Sequence, residues 1–487
     1  MIGKNLTTLI YIAVAAIAFL ALQIPLSGYI VDDAFIHLTF ARNVAQGHGF
    51  AFNPDVPTYG STAPLWTLLL ALLSLIFSPG FGMTKTLAIV FGALTIPAFR
   101  LLAGNVGLTN KSANVATLIW AVNVWLVRWT ASGMEATLAT LLLLLAINAQ
   151  LKYRNSAAVW LGFAMLCRPE VAIIAVIFGL DRWKTEGIKQ ALQLVGIVLL
   201  VVLPWQIYAL FTFGTVVPNT ALVKGGFGLP NFSDFIFGLR RTVLIICSAY
   251  CLEILLILVG LTILLFRKLI LSDSIIRTIA LLSIWAIFPA AVYLSQGVFI
   301  TSRYLLIGLP ALTILMFLIL DELEYRRRLT LWRYGRYIIT SVIIVLQLFL
   351  TLRVTLPHVA AFKPTIEVLT RIAERLKTET PSGASVAVGD VGVIGFYSDR
   401  YVIDLEGLVT HEMIPYRVGI PLDDLIISGR YLKVKQTDYF IDKSQTPGRL
   451  TDISPDLYKV IMVEPVPGGL VGTADEQWYY TLYKLNK

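Results

Sequence analysis

Two adjacent carboxylates follow the first apolar run of this 487-residue chain, in the segment Val31-Asp32-Asp33-Ala34. Neighbouring like charges raise each other's proton affinity, which can make one carboxylate a general base near neutral pH. The same pair can also supply oxygen ligands to a divalent cation. A third interpretation is an ordinary acidic loop at a membrane boundary, and the pair by itself does not distinguish the three.

Groups that could bind a substrate are spread along the first three hundred residues. The loop after the aspartates contains His37 and continues to the polar segment Tyr59-Gly60-Ser61-Thr62. Further polar residues lie at the ends of apolar stretches: Glu135, Arg168, Glu170, Asn219, Lys224, Arg303 and Tyr304. Cations at the edge of a bilayer are what a lipid-linked phosphate requires, because arginine gives bidentate contacts and lysine a point charge. The alternative is that they snorkel or form ion pairs between helices.

Membrane helices must position these groups, because the composition is not that of a water-soluble protein. Hydrophobic residues make up 57% of the chain and charged residues 14%, and the mean hydropathy is +0.76. The apolar content excludes intrinsic disorder and a collagen-like fibre, and the presence of only three cysteines excludes a disulfide scaffold. The net charge of +9 has a topological explanation in the membrane part, so no nucleic-acid partner is expected.

The hydropathy pattern predicts an α-helical polytopic domain over residues 1–356 with about eleven membrane segments. Runs long enough to cross about 30 Å of hydrocarbon are 6–25, 84–103, 112–127, 134–150, 190–213, 242–266, 276–295, 304–320 and 337–356. Pro169 interrupts the run 157–180 and removes a backbone donor, which predicts two short segments that meet at a polar elbow. The apolar stretch 64–77 is too short to span and predicts a juxtamembrane or re-entrant helix within a first outer loop over 27–83.

The distribution of basic residues predicts the orientation. Of the 25 basic residues before residue 357, 16 fall in loops that the predicted segments place on one side of the membrane. These loops include the runs 182–189 and 326–336. Cytoplasmic loops carry this excess, so we expect a cytoplasmic N-terminus, an uncleaved first anchor at 6–25 and a multi-pass protein of the plasma membrane. If the stretch 64–77 crossed the bilayer, the run 326–336 would lie outside.

The last 131 residues return to a globular composition. A helical pattern over 364–377 and strand patterns over 385–388 and 401–405 predict a small α/β domain over residues 357–487. The predicted orientation makes this domain extracytoplasmic. A domain of this size can bury its own core.

Taken together and in order, the polar motifs resemble the polytopic GT-C glycosyltransferases that use polyprenyl-phosphate sugars. The motifs are Asp32-Asp33-Ala34-Phe35-Ile36, Asn53-Pro54, Gly60 to Trp66, Gly133-Met134-Glu135, Arg168-Pro169-Glu170, Phe213-Gly214, Pro218-Asn219-Thr220 with Lys224, and Arg303-Tyr304. In the tail, Gly389 to Gly392 and Asp404 to Leu408 resemble the extracytoplasmic domain of the branch that contains the mycobacterial terminal β-1,2-arabinofuranosyltransferase. Each motif is short, and the ordered set is specific.

The resemblance implies that a sugar, with arabinofuranose as the candidate, moves from a polyprenyl-phosphate donor to an acceptor hydroxyl with inversion. The acceptor would be a cell-envelope glycan or lipid-linked glycan at the outer face of the bilayer. Asp32 or Asp33 would be the catalytic base, and the other would orient substrate or a cation. The donor phosphate would contact Arg168, Lys224 and Arg303, and the other substrate ligands would be His37, Tyr59, Glu135, Glu170, Asn219 and Tyr304.

A divalent cation is compatible with the resemblance through Asp32 and Asp33, but no cluster of histidines and cysteines demands one. Two other functions are also compatible with the sequence. A transporter or flippase would also have many helices, although such folds usually show internal repeats and none is visible here. A non-catalytic envelope protein that binds glycan would tolerate loss of both aspartates. Glu253 lies within an apolar run, below the predicted depth of the site.

Overall fold

The computed structural model describes residues 2–225, 230–267, 271–326, 332–417, 419–470 and 476–486, with backbone alone at 2–4, 224 and 225. The first part of the chain is helical: α1 (Ile2–Gln23), α2 (Asp32–Ala45), α3 (Pro64–Ser74), α4 (Phe81–Asn105), α5 (Asn110–Ala121), α6 (Val124–Ala131), α7 (Ala136–Gln150), α8 (Ser156–Met165), α9 (Ala172–Glu186), α10 (Ile188–Phe213), α11 (Asn219–Gly225), α12 (Phe232–Phe266), α13 (Asp273–Ser295), α14 (Ser302–Leu305), α15 (Pro310–Tyr325) and α16 (Trp332–Leu350).

Within the described ranges, six helical stretches are long and apolar enough to cross a membrane. They are Asn5–Gln23, Phe81–Asn105, Ile188–Phe213, Phe232–Phe266, Asp273–Ser295 and the path that begins at Trp332. Helices α3, α7 and α8 are apolar but shorter, and the 11 residues of α3 extend over only about 16 Å. A polytopic membrane protein is therefore the observed class, and the count of about eleven segments stays a prediction.

Two helix breaks position the polar residues. The predicted elbow is confirmed: α8 ends at Met165, Arg168 is extended (φ −147°, ψ 99°), and a 3-10 turn at Pro169–Val171 leads into α9. The prediction of one segment over 112–127 is wrong, because α5 ends at Ala121 and α6 begins at Val124. Asn123 causes this break, since its Oδ1 accepts the N–H groups of Trp125 and Leu126 and so caps α6.

The membrane part is joined to the C-terminal part without a loop. Helix α16 continues through a π-helical turn (Thr351–Thr355) and α17 (Leu356–Ala360) to α18 (Phe362–Glu379). The predicted domain boundary after residue 356 therefore falls inside a helical path, and it stays a prediction. A helix that crosses the boundary limits the freedom of the two parts to move independently.

The C-terminal domain is α/β, as the pattern predicted. After α18 come β1 (Ser385–Val388), α19 (Val391–Tyr397), β2 (Tyr401–Asp404), α20 (Ile414–Arg417), α21 (Leu422–Ile427), β3 (Tyr439–Ser444), α22 (Arg449–Ile453), β4 (Tyr458–Val466) and β5 (Trp478–Leu485). The sheet order is β2-β1-β3-β5-β4. Strand β1 pairs in parallel with β2 and β3, whereas β5 is antiparallel to β3 and β4.

This domain packs directly on the loop between α1 and α4. Phe35 of α2 lies with its ring centroid 5.7 Å from that of Phe396 in α19. The side chain of Asn53 pairs with the backbone of Val402, donating from Nδ2 (2.9 Å) and accepting at Oδ1 (2.8 Å). The strand edge of the C-terminal domain and the first long loop therefore form one buried interface.

Candidate active site

A cavity of about 500 Å³ opens where the first long loop, the elbow and the C-terminal domain meet. We call it the Asp33 cavity. Seven residues that the sequence singled out line it: Asp33, His37, Glu135, Arg168, Glu170, Arg303 and Tyr304. They come from α2, the start of α7, the elbow and α14, so the fold gathers residues that are up to 271 positions apart.

Asp33 and Arg303 form one charged pair of the cavity. The Nη1 of Arg303 lies 3.0 Å from Oδ2 of Asp33. The Asp33 side chain is 43% exposed, whereas that of Arg303 is 11% exposed. Asp33 is thus accessible to a molecule in the cavity while its buried partner holds it in place.

Asp32 points elsewhere. Its Oδ2 accepts the N–H of Gly392 and its Oδ1 accepts the N–H of Val393, each at 2.8 Å, and it is not among the cavity-lining residues. Burial and the nearby charge of Asp390 raise the pKa of Asp32 to about 7. Successive residues of a helix diverge by about 100°, which is why adjacent aspartates at the start of α2 face different partners.

Arg168 forms the second charged cluster. Its guanidinium lies 2.8 Å from Oε1 of Glu135 and 3.6 Å from Oε1 of Glu170. The hydroxyl of Tyr293 donates to Oε1 of Glu170 (2.6 Å) and accepts from Nη1 of Arg168 (3.3 Å). The elbow therefore presents a buried arginine that is held by two carboxylates and a phenol.

An aromatic pair connects the two clusters. The rings of Tyr293 and Tyr304 stack with centroids 4.5 Å apart and 18° between their planes. The guanidinium carbons of Arg168 and Arg303 are each 5.2 Å from the centroid of Tyr304. Two cations thus flank one ring, which orients both toward the same volume.

The charges of the described cavity wall nearly balance. Arg168 and Arg303 face three carboxylates, and burial lowers the pKa of His37, which keeps its ring neutral. The Nε–H groups of both arginines are buried and have no hydrogen-bond partner among the described residues. Unsatisfied buried donors are costly, but these two N–H groups do not reach the cavity surface. The anion-binding capacity of the wall therefore depends on the rest of the two guanidinium groups that line it.

Two hydroxyl groups contact the Nδ1 atom of His37. Its Nδ1 lies 3.1 Å from Oγ1 of Thr67 and 3.2 Å from Oγ of Ser61. Its Nε2 is 3.8 Å from Oε2 of Glu135. The ring therefore lies beside Glu135 without a hydrogen bond to it, and Oε2 of Glu135 has no hydrogen-bond partner among the described residues.

Tyr59 and Asn219 do not line the Asp33 cavity. The hydroxyl of Tyr59 accepts from the indole of Trp205 (2.8 Å) and its ring stacks on Phe213, next to a recess of about 70 Å³. Asn219 donates from Nδ2 to the carbonyl of Leu408 (3.1 Å). Both tie loops together instead of reaching the cavity. The side chain of Lys224 lies outside the described residues, so its predicted contact with phosphate stays a prediction.

Tyr293 and Leu408 also line the cavity, although the sequence did not predict either as a site residue. Leu408 belongs to the tail motif Asp404 to Leu408, whereas Tyr293 belongs to no motif. Tyr293 lies within the apolar run 276–295, where a tyrosine is ordinary. Leu408 is an aliphatic residue in a domain far along the chain. Neither residue type nor spacing places these two residues at the site, and only the packing of α13 and the C-terminal domain brings them there.

Within the described ranges there is no group of three or more histidine, cysteine, aspartate or glutamate residues that could hold a metal ion. Asp33 is paired with Arg303, and Glu135 and Glu170 with Arg168. Carboxylates already neutralised by arginine are poor cation ligands unless the pairs open. The compatibility with a divalent cation remains an expectation, and no step below depends on it.

Comparison with known proteins connects this geometry to one fold. A family described as a domain of unknown function, DUF8728, matches residues 361–483, and no curated protein matches the chain. ArnT from Cupriavidus metallidurans has a TM-score of 0.65 at 14% identity, over 99% of this chain and 98% of its own. The same ArnT bound to undecaprenyl phosphate gives 0.57 at 13% identity, over 97% of both chains.

Two further solved structures share the architecture. The oligosaccharyltransferase of Archaeoglobus fulgidus, tethered to an acceptor peptide, has a TM-score of 0.54 at 13% identity and covers 99% of this chain and 74% of its own. The arabinofuranosyltransferase AftD from mycobacteria has 0.54 at 14% identity, over 98% of this chain and 40% of its own. All three relatives are GT-C glycosyltransferases. This chain has the GT-C fold, and the predicted fold resemblance is confirmed.

Proposed function

We propose that this protein is a membrane glycosyltransferase that transfers a sugar from a polyprenyl-phosphate donor to an acceptor hydroxyl, with inversion. The observation that carries the proposal is that two guanidinium groups, those of Arg168 and Arg303, line the same cavity as the Asp33 carboxylate. The ArnT structure that contains undecaprenyl phosphate supports a lipid-phosphate ligand for this fold.

The two arginines would bind the donor phosphate and stabilise the charge that develops as the sugar leaves. Their pairing with carboxylates keeps them in place before the donor arrives, so little reorganisation is needed during the reaction. The phosphate would share Arg303 with Asp33. Because this weakens the hold of the cation on Asp33, donor binding would make that carboxylate a better proton acceptor.

Asp33 would then be the base. The acceptor oxygen forms a bond to the anomeric carbon from the face opposite the phosphate, and its proton passes to the Asp33 carboxylate. The bond between the anomeric carbon and the phosphate oxygen breaks, and its electron pair stays on the polyprenyl phosphate. Inversion follows from this single displacement.

The apolar part of the wall suits the lipid of the donor. Ala172 and Ile173 of α9, Val217 before α11 and Val292 of α13 line the cavity beside the arginines. Isoprenoid methylenes can contact these side chains while the phosphate stays with the cations. The sugar proposed is arabinofuranose and the acceptor a cell-envelope or lipid-linked glycan, supported by the likeness to AftD. The C-terminal domain is proposed to lie outside the plasma membrane, with the N-terminus in the cytoplasm.

A single-turnover assay with polyprenyl-phosphate arabinofuranose tests this mechanism. Asp33→Asn removes the base while keeping the size of the side chain, so transfer should slow by about 10² to 10⁴-fold while the donor still binds. Asp55→Asn is the matched control, since Asp55 belongs to the same loop and its side chain is 77% exposed. Transfer by Asp33→Asn at the rate of Asp55→Asn would contradict the proposal.

A further inference from the structure

The carboxylate of Asp32 holds the C-terminal domain at the first turn of α2. Both of its oxygens are used, one for the N–H of Gly392 and one for that of Val393. A Cβ atom placed on Gly392 would lie 2.0 Å from the carbonyl oxygen of Asp32, a distance that no side chain tolerates. The two backbones can approach this closely because residue 392 is glycine.

The same domain supplies part of the cavity wall. Leu408 lines the Asp33 cavity and lies in a turn that follows β2. The buried Asp404 shapes this turn, because its carboxylate accepts the N–H groups of Glu406 (2.9 Å) and Val409 (2.8 Å). The turn is a rigid, hydrogen-bonded extension of the sheet toward the membrane part.

A second close approach fixes the turn against the first long loop. A Cβ atom on Gly60 would lie 2.7 Å from the carbonyl oxygen of Leu408. Asn219 donates to that same oxygen, and its own N–H donates to the carbonyl of Tyr59 (2.9 Å). Leu408, which follows β2, is therefore held between Gly60 and Asn219, while Asp32 holds the start of α19, which precedes β2.

The two substrates must reach the cavity from different directions. A polyprenyl chain comes from the hydrocarbon and would follow the apolar wall of α9 and α13. A hydrophilic acceptor comes from water, on the side where the C-terminal domain stands. Leu408 is the residue that this domain contributes to the lining among those described, so the domain reaches the same cavity as Asp33.

We propose that Asp32 is a positioning residue which clamps the C-terminal domain to α2, so that the turn carrying Leu408 forms the wall of the acceptor subsite beside Asp33. This inference rests on the proposed function and deepens it. The adjacent aspartates then have separate tasks: Asp33 touches the substrate, and Asp32 acts through Gly392 and Leu408. The acceptor class is a hydroxyl-bearing glycan that enters between the two domains.

The contact between Asp32 and the C-terminal domain can be tested without any substrate. Full-length protein with Cys167, Cys247 and Cys251 replaced would carry Leu408→Cys, and its labelling by a water-soluble maleimide would be timed. Loss of a side chain that accepts backbone N–H groups destabilises the contact it makes. The equilibrium between the closed and the open contact should then shift about threefold to thirtyfold toward the open one. We expect Asp32→Ala and Gly392→Ala to speed labelling by about that factor, and Asp55→Asn to leave it unchanged.

Asp32→Asn removes the basic carboxylate but keeps one of the two contacts, because the amide oxygen can accept only one of the N–H groups of Gly392 and Val393. Assayed with polyprenyl-phosphate arabinofuranose and a synthetic arabinofuranosyl oligosaccharide, it should keep most of the kcat. Asp32→Ala should raise the KM for the oligosaccharide about threefold to thirtyfold and leave donor binding unchanged. Thermal unfolding would verify that each variant is folded, and Gly392→Ala serves if Asp32→Ala is not.

Two results would overturn the inference. One is unchanged Leu408→Cys labelling in folded Asp32→Ala and Gly392→Ala. The other is loss of kcat in Asp32→Asn with labelling as in the wild type, which would make Asp32 a reacting group. If the wild-type protein transferred no sugar, the proposed function would fail, whereas the labelling would still report whether the clamp exists.

Discussion

Replacement of Arg168 by glutamine separates the structural role of this residue from its role in binding phosphate. Arg168 faces Glu135 and Glu170 with all three side chains less than a tenth exposed. Removing one partner of a buried ion pair typically costs about 3–5 kcal/mol, because the remaining charge is uncompensated. Arg168→Gln should therefore lower the melting temperature of the detergent-purified protein.

The double variant Arg168→Gln, Glu135→Gln removes one of the two carboxylates that lose their cation, the closer one, and should recover part of the lost stability. The double variant should not recover the affinity for the donor. A hydrogen bond to a charged group contributes about 1.5–3 kcal/mol, so the Kd for polyprenyl phosphate should rise about tenfold to hundredfold. Thermal unfolding measures the first effect and isothermal calorimetry with polyprenyl phosphate in detergent the second.

Arg182 provides the matched control. It is another buried arginine, hydrogen-bonded to Gln150, Asn155 and the carbonyl of Arg154, and it does not line the Asp33 cavity. Arg182→Gln should destabilise the protein while the folded fraction binds polyprenyl phosphate normally. A double variant at Arg168 and Glu135 that binds the lipid as tightly as the wild type would refute the phosphate site.

Four other outcomes are expected. Tyr293→Phe removes the hydroxyl between Arg168 and Glu170 but keeps the stacked ring, so the KM for donor should rise about fivefold; an unchanged KM would show that the hydroxyl is dispensable. Burial raises the pKa of Asp404 to about 7, so the folded state binds more protons than the unfolded state and stability should fall as pH rises from about 4 to about 7. Melting curves of Asp404→Asn should show a smaller fall, and parallel curves would contradict this. Glu253 is 1% exposed and neither carboxylate oxygen has a hydrogen-bond partner among the described residues, so Glu253→Leu should raise the melting temperature and leave transfer unchanged; lost transfer would reveal a function for this carboxylate. Cysteines at the exposed positions Lys184 and Gln445 should label from opposite sides of the membrane, and labelling from one side would reject the proposed orientation.

The sequence predicted those features that depend on neighbouring residues. The length of apolar runs indicates membrane helices wherever it occurs, because every buried backbone group in a bilayer must be satisfied within its own helix. The break at Pro169 followed from the missing N–H of proline. Alternation and turn residues located β1 and β2 to within one residue, at Ser385–Val388 and Tyr401–Asp404.

The sequence also predicted most of the charged residues that line the cavity, because charged residues beside a bilayer are costly unless they are paired or used. Seven of the predicted residues line the Asp33 cavity. The hydropathy pattern gave a wrong prediction at Asn123. It predicts one membrane segment there, but the capping side chain of Asn123 divides the apolar run into α5 and α6.

Tertiary structure decided which of these polar residues line the Asp33 cavity. Asp32 and Asp33 have the same chemistry and adjacent positions, and they differ because Gly392, 360 residues later, approaches one of them. Tyr59 and Asn219 read as sugar ligands but are engaged by Trp205 and Leu408. Tyr293 had no signal and became part of the site when α13 packed beside the elbow. The direction of a side chain is set by the partner that satisfies it, and when that partner is far along the chain only the fold determines it.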